Sequence, residues 1–275
     1  MTWRFFHRLA AKPLSSQTNI AAYLNSLWDE NNTSSSNLPD LIGRTGYTLP
    51  DLKQAVVLPI GAKGSQNYLV FTDKLPSYLP TSIHIDNGCN GNVIVFGKNE
   101  QFPDDVHFQG NDCLMIWGSN IPWRANVNVR FSSSRELFFW GAGSTSNGTT
   151  VILEGEQRSV IVGEDCMFAL NTTIMTSDLH SIVDLKLGAW QNPPADVVIE
   201  PHVWVGQDAL ILKGATIGRG SIVGAKSLVT KAVLPASLAV GIPARTIREC
   251  VSWDRGRSPT KEAVQSLQKL LGEFL

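Results

Sequence analysis

Between residues 197 and 232 the chain counts by six. Ile199, Val205, Ile211, Ile217, Val223 and Val229 follow at that interval, and two places before each stands Val197, Val203, Ala209, Ala215, Ser221 or Ser227. Six consecutive matches to one two-site template suit neither the 3.6-residue turn of an α-helix nor the two-residue alternation of an open sheet. They suit a β-solenoid whose triangular coil has three six-residue edges, the aliphatic residue pointing inward and the small one near each corner. The same phase reaches back through Val162, Phe168 and Ile174.

Then the count breaks. Ile174 predicts the next inward position at 180, but that position holds a histidine, in "SDLHSIVD". The next clear phase starts at Ile199, 25 residues from Ile174 rather than 24. An insertion is therefore expected to leave the coil between about 176 and 196, with His180 at its root.

From about residue 81 the texture is of short apolar runs, "NVIVFG", "CLMIWG", "NVNVRFS", "ELFFWG", "TVILEG" and "SVIVGED", several closed by glycine. Each reads as a strand. Their uneven spacing does not by itself separate a sandwich from a solenoid. Residues 1–80 show no repeat; within them Ile20, Tyr23, Leu24, Leu27 and Trp28 form one helical stripe, with Ser16 or Thr18 as N-cap. At the other end, Ser258 as N-cap, Pro259 at the first helical position and the stripe Val264, Leu267, Leu271 and Phe274 predict a helix that covers an open coil end. The organisation expected is an N-terminal extension over 1–80, a β-helix over 81–245 and a helical tail over 246–275.

Composition trims the possibilities. A formal net charge of −1 and 43% hydrophobic residues are those of an ordinary globular chain, and no basic stripe with interleaved aromatics points to nucleic acid. Cys89, Cys113, Cys166 and Cys250 are far apart, with no CxxC pair, which fits a reducing cytoplasm. Arg4, His7 and Arg8 interrupt every apolar run of the N-terminus, so no signal-peptide core is expected. Nor does any stretch approach the ~18 apolar residues of a spanning helix. The expectation is a soluble, cytoplasmic protein.

The run "VVIEPHVWVGQDALILKGATIGRGSIVGAKSLVTKAVLPASLAVGIPARTIREC" resembles the C-terminal half of hexapeptide-repeat acyltransferases. The upstream "GEDCMFALNTTIMTSDLHSIVD" and the later "SWDRGR" are most similar to the branch that acetylates sugars of bacterial capsules and surface polysaccharides. The likeness covers roughly 158–256. It implies an all-β fold, a left-handed parallel β-helix, against the right-handed rule for parallel crossovers. It further implies a homotrimer with active sites between subunits, acetyl-CoA as co-substrate without a metal, and a sugar or polysaccharide acceptor.

An unactivated sugar hydroxyl needs a base, and histidine can take its proton near neutral pH. His84 and His107 alternate with apolar neighbours and are expected to face outward from strands; His7 lies in the N-terminal segment; His202 occupies a turn of a regular repeat, where polar residues are ordinary. His180 alone sits at the break in the count, and the family motif surrounds it. Asp178 and Asp184 bracket it; either could hold its ring, or merely cap the loop. Trp204, between inward Val203 and Val205, should project outward, and in the resembled enzymes the tryptophan of this "VWVG" motif borders the active site. By the same resemblance the backbone N–H near Gly206 or Gln207 is the candidate oxyanion donor. Ala225 would allow close approach of the pantetheine arm, and Thr230, Lys231, Arg245 and Arg248 match coenzyme-contacting positions. Cys166, at a corner position, reads as structural, so transfer should be direct.

Three other readings share this solenoid. The same base and groove would serve N-acetylation of an amino-sugar nucleotide. A metal-dependent lyase of the gamma carbonic anhydrase kind needs three histidines, of which only His180 and His202 lie in the regular part. An inactive scaffold would not need the histidine–tryptophan–coenzyme set.

Overall fold

The computed structural model describes residues 55–61, 66–79, 81–99, 101–123 and 125–274. The helix expected around residues 20–28, and His7, lie outside these residues. The described chain is a parallel β-helix, closed at its last edge by an antiparallel hairpin and followed by one short helix.

The first coils are wide. Along one sheet Val93 pairs with Leu114, 21 residues on; Leu114 with Leu137, 23 on; and Leu137 with Ser159, 22 on. Large rings fill the lumen they enclose. Trp117 stacks on Trp140 with centroids 5.4 Å apart, Trp140 meets Phe168 at 5.0 Å, and Phe108 stacks on Phe131 at 4.7 Å. The four-residue strands of this sheet are buried on both faces. Ile94, Phe96, Met115, Trp117, Phe138 and Trp140 join the main core, while Val93, Val95, Leu114, Ile116, Leu137, Phe139 and Ile161 form a second apolar cluster on the outer face. A polar column runs down one corner: Asn67 Oδ1 accepts the N–H of Asn92 (2.9 Å), and Asn92 Oδ1 that of Cys113 (3.0 Å). Next in the column, Glu136 accepts the Ser133 N–H at Oε2 (3.1 Å), and its Oε1 is buried without a partner. Burial pushes the Glu136 carboxyl up to about 8.

After the break the coils narrow and become uniform. Val198 pairs with Thr216, Trp204 with Ile222 and Leu210 with Leu228, 18 residues apart every time. All six inward aliphatic positions of the hexad are buried, and so are the small residues two places earlier. The corners repeat as strictly as the edges: His202, Asp208, Gly214, Gly220 and Lys226, each six on from the last, all have φ between +58° and +75°. That left-handed conformation costs a side chain free energy, yet glycine takes only two of the five corners.

Two expectations about the ends need correction. Strand pairing begins before residue 81: Val56–Ile60 pairs antiparallel with Asn67–Phe71, which in turn runs parallel to Val93–Phe96. The C-terminal helix spans Lys261–Leu271 and is capped by Thr260, whose hydroxyl accepts the Ala263 N–H, not by Ser258. Of its stripe Leu271 alone is buried, packed where a Cβ on Gly220 would fall, while Val264 and Phe274 remain exposed. The helix therefore leans on the coil and does not cover its end. The last edge is met by the hairpin of Ser237–Gly241 and Ala244–Glu249.

Candidate active site

The insertion leaves the solenoid after Thr172–Met175, and its neck is closed by the Ala195 N–H donating to the Thr176 carbonyl (2.9 Å). Beyond the neck Val183–Asp184 pairs with Ala189–Trp190. His180 lies between neck and hairpin, exposed. Its carbonyl accepts from Asn192 Nδ2 (2.8 Å), which also donates to Asp178 Oδ2 (2.8 Å). The other end of that amide, Asn192 Oδ1, accepts the Ile182 N–H (2.6 Å) and the Trp190 indole N–H (2.9 Å). Lys213, from the adjoining coil, donates to Asp178 Oδ2 (2.5 Å) and to the Asn192 carbonyl (2.7 Å). The Lys213 ammonium, and after it the Asn192 amide, hold the Asp178 carboxyl below the usual carboxylate range.

The sequence left open which aspartate orients the His180 ring; within the chain neither does. Asp184 Oδ1 accepts the N–H groups of Lys186 (2.8 Å) and Leu187 (2.9 Å), so it turns the hairpin tip. Asp178 is taken by Lys213 and Asn192. Among the described residues no group hydrogen-bonds the His180 ring, and none links it to Trp204. The loop also presents a row of apolar side chains to its surroundings: Ile182, Val183, Leu185, Leu187 and Trp190, with Leu185 94% exposed.

Trp204 projects outward from its strand, as alternation required, and is exposed. What lies beside it was not expected. Trp253, from the tail, sits with its ring centroid 6.4 Å from that of Trp204 and stacks on His202 at 4.5 Å. His202 is thus no ordinary turn residue but a buried one. Its Nδ1 lies 2.7 Å from Asp165 Oδ2 and its Nε2 3.1 Å from the Trp253 carbonyl, while the Trp253 indole N–H returns a bond to the His202 carbonyl (2.8 Å). Arg255 donates to Asp165, to Thr145 Oγ1 and to the carbonyls of Gly143 and Cys166. Burial by itself would raise the Asp165 carboxyl, but the bonds from His202 and Arg255 outweigh it and the net displacement is downward. The clue available in the sequence was "SWDRGR": a tryptophan and an arginine beyond the last repeat that no coil position accounts for.

The remaining site residues occupy the edges of the narrow coils. The Gly206 N–H is committed to the Val223 carbonyl (2.8 Å), so it is not available as an oxyanion donor. The Gln207 N–H donates to no described atom, and Gln207 is exposed. Gly206 is required for another reason: a Cβ there would lie 2.6 Å from the Ala225 nitrogen, so it packs directly beneath Ala225. Ala225, Thr230 and Lys231 are exposed, as are Arg245 and Arg248 on the closing hairpin. Cys166 is buried, its thiol pushed up to about 12 by desolvation and directed at the Glu200 carbonyl (3.3 Å). That is a structural cysteine. His84 and His107 sit half-buried on neighbouring strands, paired with Asp105 (3.1 Å) and Asp86 (2.8 Å). Among the described residues no three His, Cys, Asp or Glu side chains gather as a metal site would need. No helix among them is long and apolar enough to cross a membrane.

The chain is similar to known proteins in sequence and in fold. Residues 196–231 fit the family model for the bacterial transferase hexapeptide (six repeats). The chain is 35% identical over 169 residues to a galactoside O-acetyltransferase of Escherichia coli (strain K12), covering 60% of this chain and 80% of that protein. It is 28% identical over 126 residues to a polysialic acid O-acetyltransferase of Neisseria meningitidis, 46% of this chain and 57% of the relative. A polysialic acid O-acetyltransferase of Escherichia coli O1:K1 is 32% identical over 100 residues, which cover 36% of this chain. The matches thus span 57% and 33% of the length of these two polysialic acid enzymes. Among solved structures, the polySia-specific acetyltransferase NeuO superposes with a TM-score of 0.54 at 27% identity, covering 70% of this chain and 99% of that one.

Proposed function

Because the chain belongs to the bacterial hexapeptide-repeat transferase family, we propose that it transfers an acetyl group from acetyl-CoA to a sugar hydroxyl of a surface polysaccharide or its precursor. The observation that carries this reading is the placement of His180. Its main chain is anchored and its ring is left without a partner, at the only interruption of the hexad pattern between 162 and 229. Relatives named for O-acetylation, of polysialic acid and of galactosides, support this reading.

The chemistry assigned to this chain is direct transfer. His180 takes the proton of the acceptor hydroxyl as its oxygen attacks the acetyl carbonyl. The Gln207 N–H donates to the oxyanion that forms. Collapse breaks the carbon–sulfur bond, and the proton on His180 passes to the departing thiolate. Trp204 forms an apolar wall to the site. Ala225 and Thr230 line the path of the pantetheine arm, and Lys231, Arg245 and Arg248 meet the phosphates of the coenzyme. Assembly as a homotrimer, with the site between subunits, gives the exposed apolar row of the loop a surface to bury against. The test is mass spectrometry of an acceptor panel, polysialic acid and a galactoside among them, incubated with enzyme and acetyl-CoA. One acetyl is gained per modified residue, as an alkali-labile ester. A His180→Ala variant of unchanged oligomeric state loses kcat by roughly 10²–10⁴-fold; a wild-type rate in that variant would sink the assignment.

A further inference from the structure

His180 has no carboxylate at its ring, so whatever aims it must act elsewhere. The hydrogen bonds around it converge on one side chain. The carboxamide of Asn192 uses both ends: Nδ2 on the His180 carbonyl and Asp178, Oδ1 on the Ile182 N–H and the Trp190 indole. These bonds cross the mouth of the insertion, from the returning strand to the outgoing one, and fix the peptide units on both sides of residue 181. Residue 179 carries φ +65°, a left-handed turn immediately before the histidine. An exposed leucine has no intrinsic reason to adopt that conformation, so the loop must be held in it. Lys213 completes the clasp by joining Asp178 and the Asn192 carbonyl to the adjoining coil. The solenoid's rigidity therefore reaches the histidine through Lys213 and Asn192.

Resting on His180 as the base, we propose that Asn192 is its positioning residue, with Lys213 and Asp178 as the anchor behind it. The clasp orients the imidazole by fixing the backbone of residues 180–182, and the ring itself stays free to meet the substrates. Neither Asn192 nor Lys213 touches the reacting atoms. Their effect on rate comes through the placement of the base, where an error of about 1 Å costs up to about a hundredfold.

The experiment compares Asn192→Ala, Lys213→Met, His180→Ala and the Asn192→Ala/His180→Ala double variant. Acetyl transfer is followed to whichever panel acceptor is modified, and acetyl-CoA hydrolysis serves where none is. Asn192→Ala is expected to lower kcat about tenfold to a hundredfold, with acetyl-CoA affinity by calorimetry and the melting temperature unchanged. Lys213→Met gives a smaller loss of the same kind and keeps the question open should the first variant fold poorly. In the His180→Ala background Asn192→Ala costs nothing further. The inference is overturned if kcat holds in both single variants, or if it falls together with melting temperature and coenzyme affinity. An equal further loss without His180 overturns it too. If His180→Ala itself keeps its rate, it is the assignment of the base that fails; if His180→Ala is inactive and the clasp variants are not, only the clasp fails.

Discussion

The two halves of the β-helix solve one problem differently. Before the insertion, coils of 21–23 residues enclose a lumen wide enough for stacked tryptophans and phenylalanines. After it, 18-residue coils close on single aliphatic side chains. A wide coil can vary in length because ring stacking inside tolerates offset, whereas a narrow coil keeps its length because each edge holds one inward residue and each corner one left-handed residue. The half with the freer perimeter carries the heavier core. The half with the strict perimeter carries much of the candidate chemistry: Trp204, Gln207 and Ala225 sit in coils whose positions are fixed to the hexad, while Arg245 and Arg248 lie on the hairpin that closes them.

The contrast can be broken at its strongest point first. Trp140 lies between Trp117 and Phe168, and Trp140→Ala is expected to cost about 3–5 kcal/mol in denaturant unfolding. A loss under about 1 kcal/mol would mean the rings do not hold the wide coils. Next is Glu136, a buried corner carboxyl. Its folded-state value of about 8 lies above the 4.5 of a free glutamate, so the native state holds a proton that the unfolded chain gives up. The contribution of Glu136 to stability is therefore full below pH ~4.5 and falls as the pH rises toward about 8. Glu136→Gln should remove that slope and raise the melting temperature at pH 8 by about 4–8 °C, for roughly 2 kcal/mol. Melting curves at pH 4.5 and pH 8 check it, and equal effects at both would refute the titration. The smallest effect belongs to the narrow coils. Ile211→Val removes one methylene from a lumen that accepts valine at three of the six inward hexad positions over 199–229, and should cost about 0.5–1.5 kcal/mol. A larger loss would show that the narrow coils are as closely fitted as the wide ones.

The same contrast explains what could be read from the residues. Over 197–229 the period was legible because one face is core and the other is solvent. In the wide coils "LMIW", "VIVF" and "LFFW" are buried on both faces, so no alternation survives, and the varying perimeter removes the period. The break at His180 was visible as a missed count. The clasp was not, because Asn192 and Lys213 meet the histidine loop only after the chain has gone out and back and started another coil edge. His202 was underrated for a similar reason. Its partners Asp165 and Trp253 lie 37 and 51 residues away, and a polar corner residue in isolation looks like any other.

The tail that stacks Trp253 on His202 and hooks Arg255 onto Asp165 has a length of its own. It leaves the closing hairpin at Glu249 and runs back down the stack by a fixed amount before it fastens. Identical 18-residue coils could in principle be added or removed without disturbing a single ladder bond. The tail is a ruler against that drift: with one coil more, it would stop short of its hooks, and with one fewer it would overshoot them.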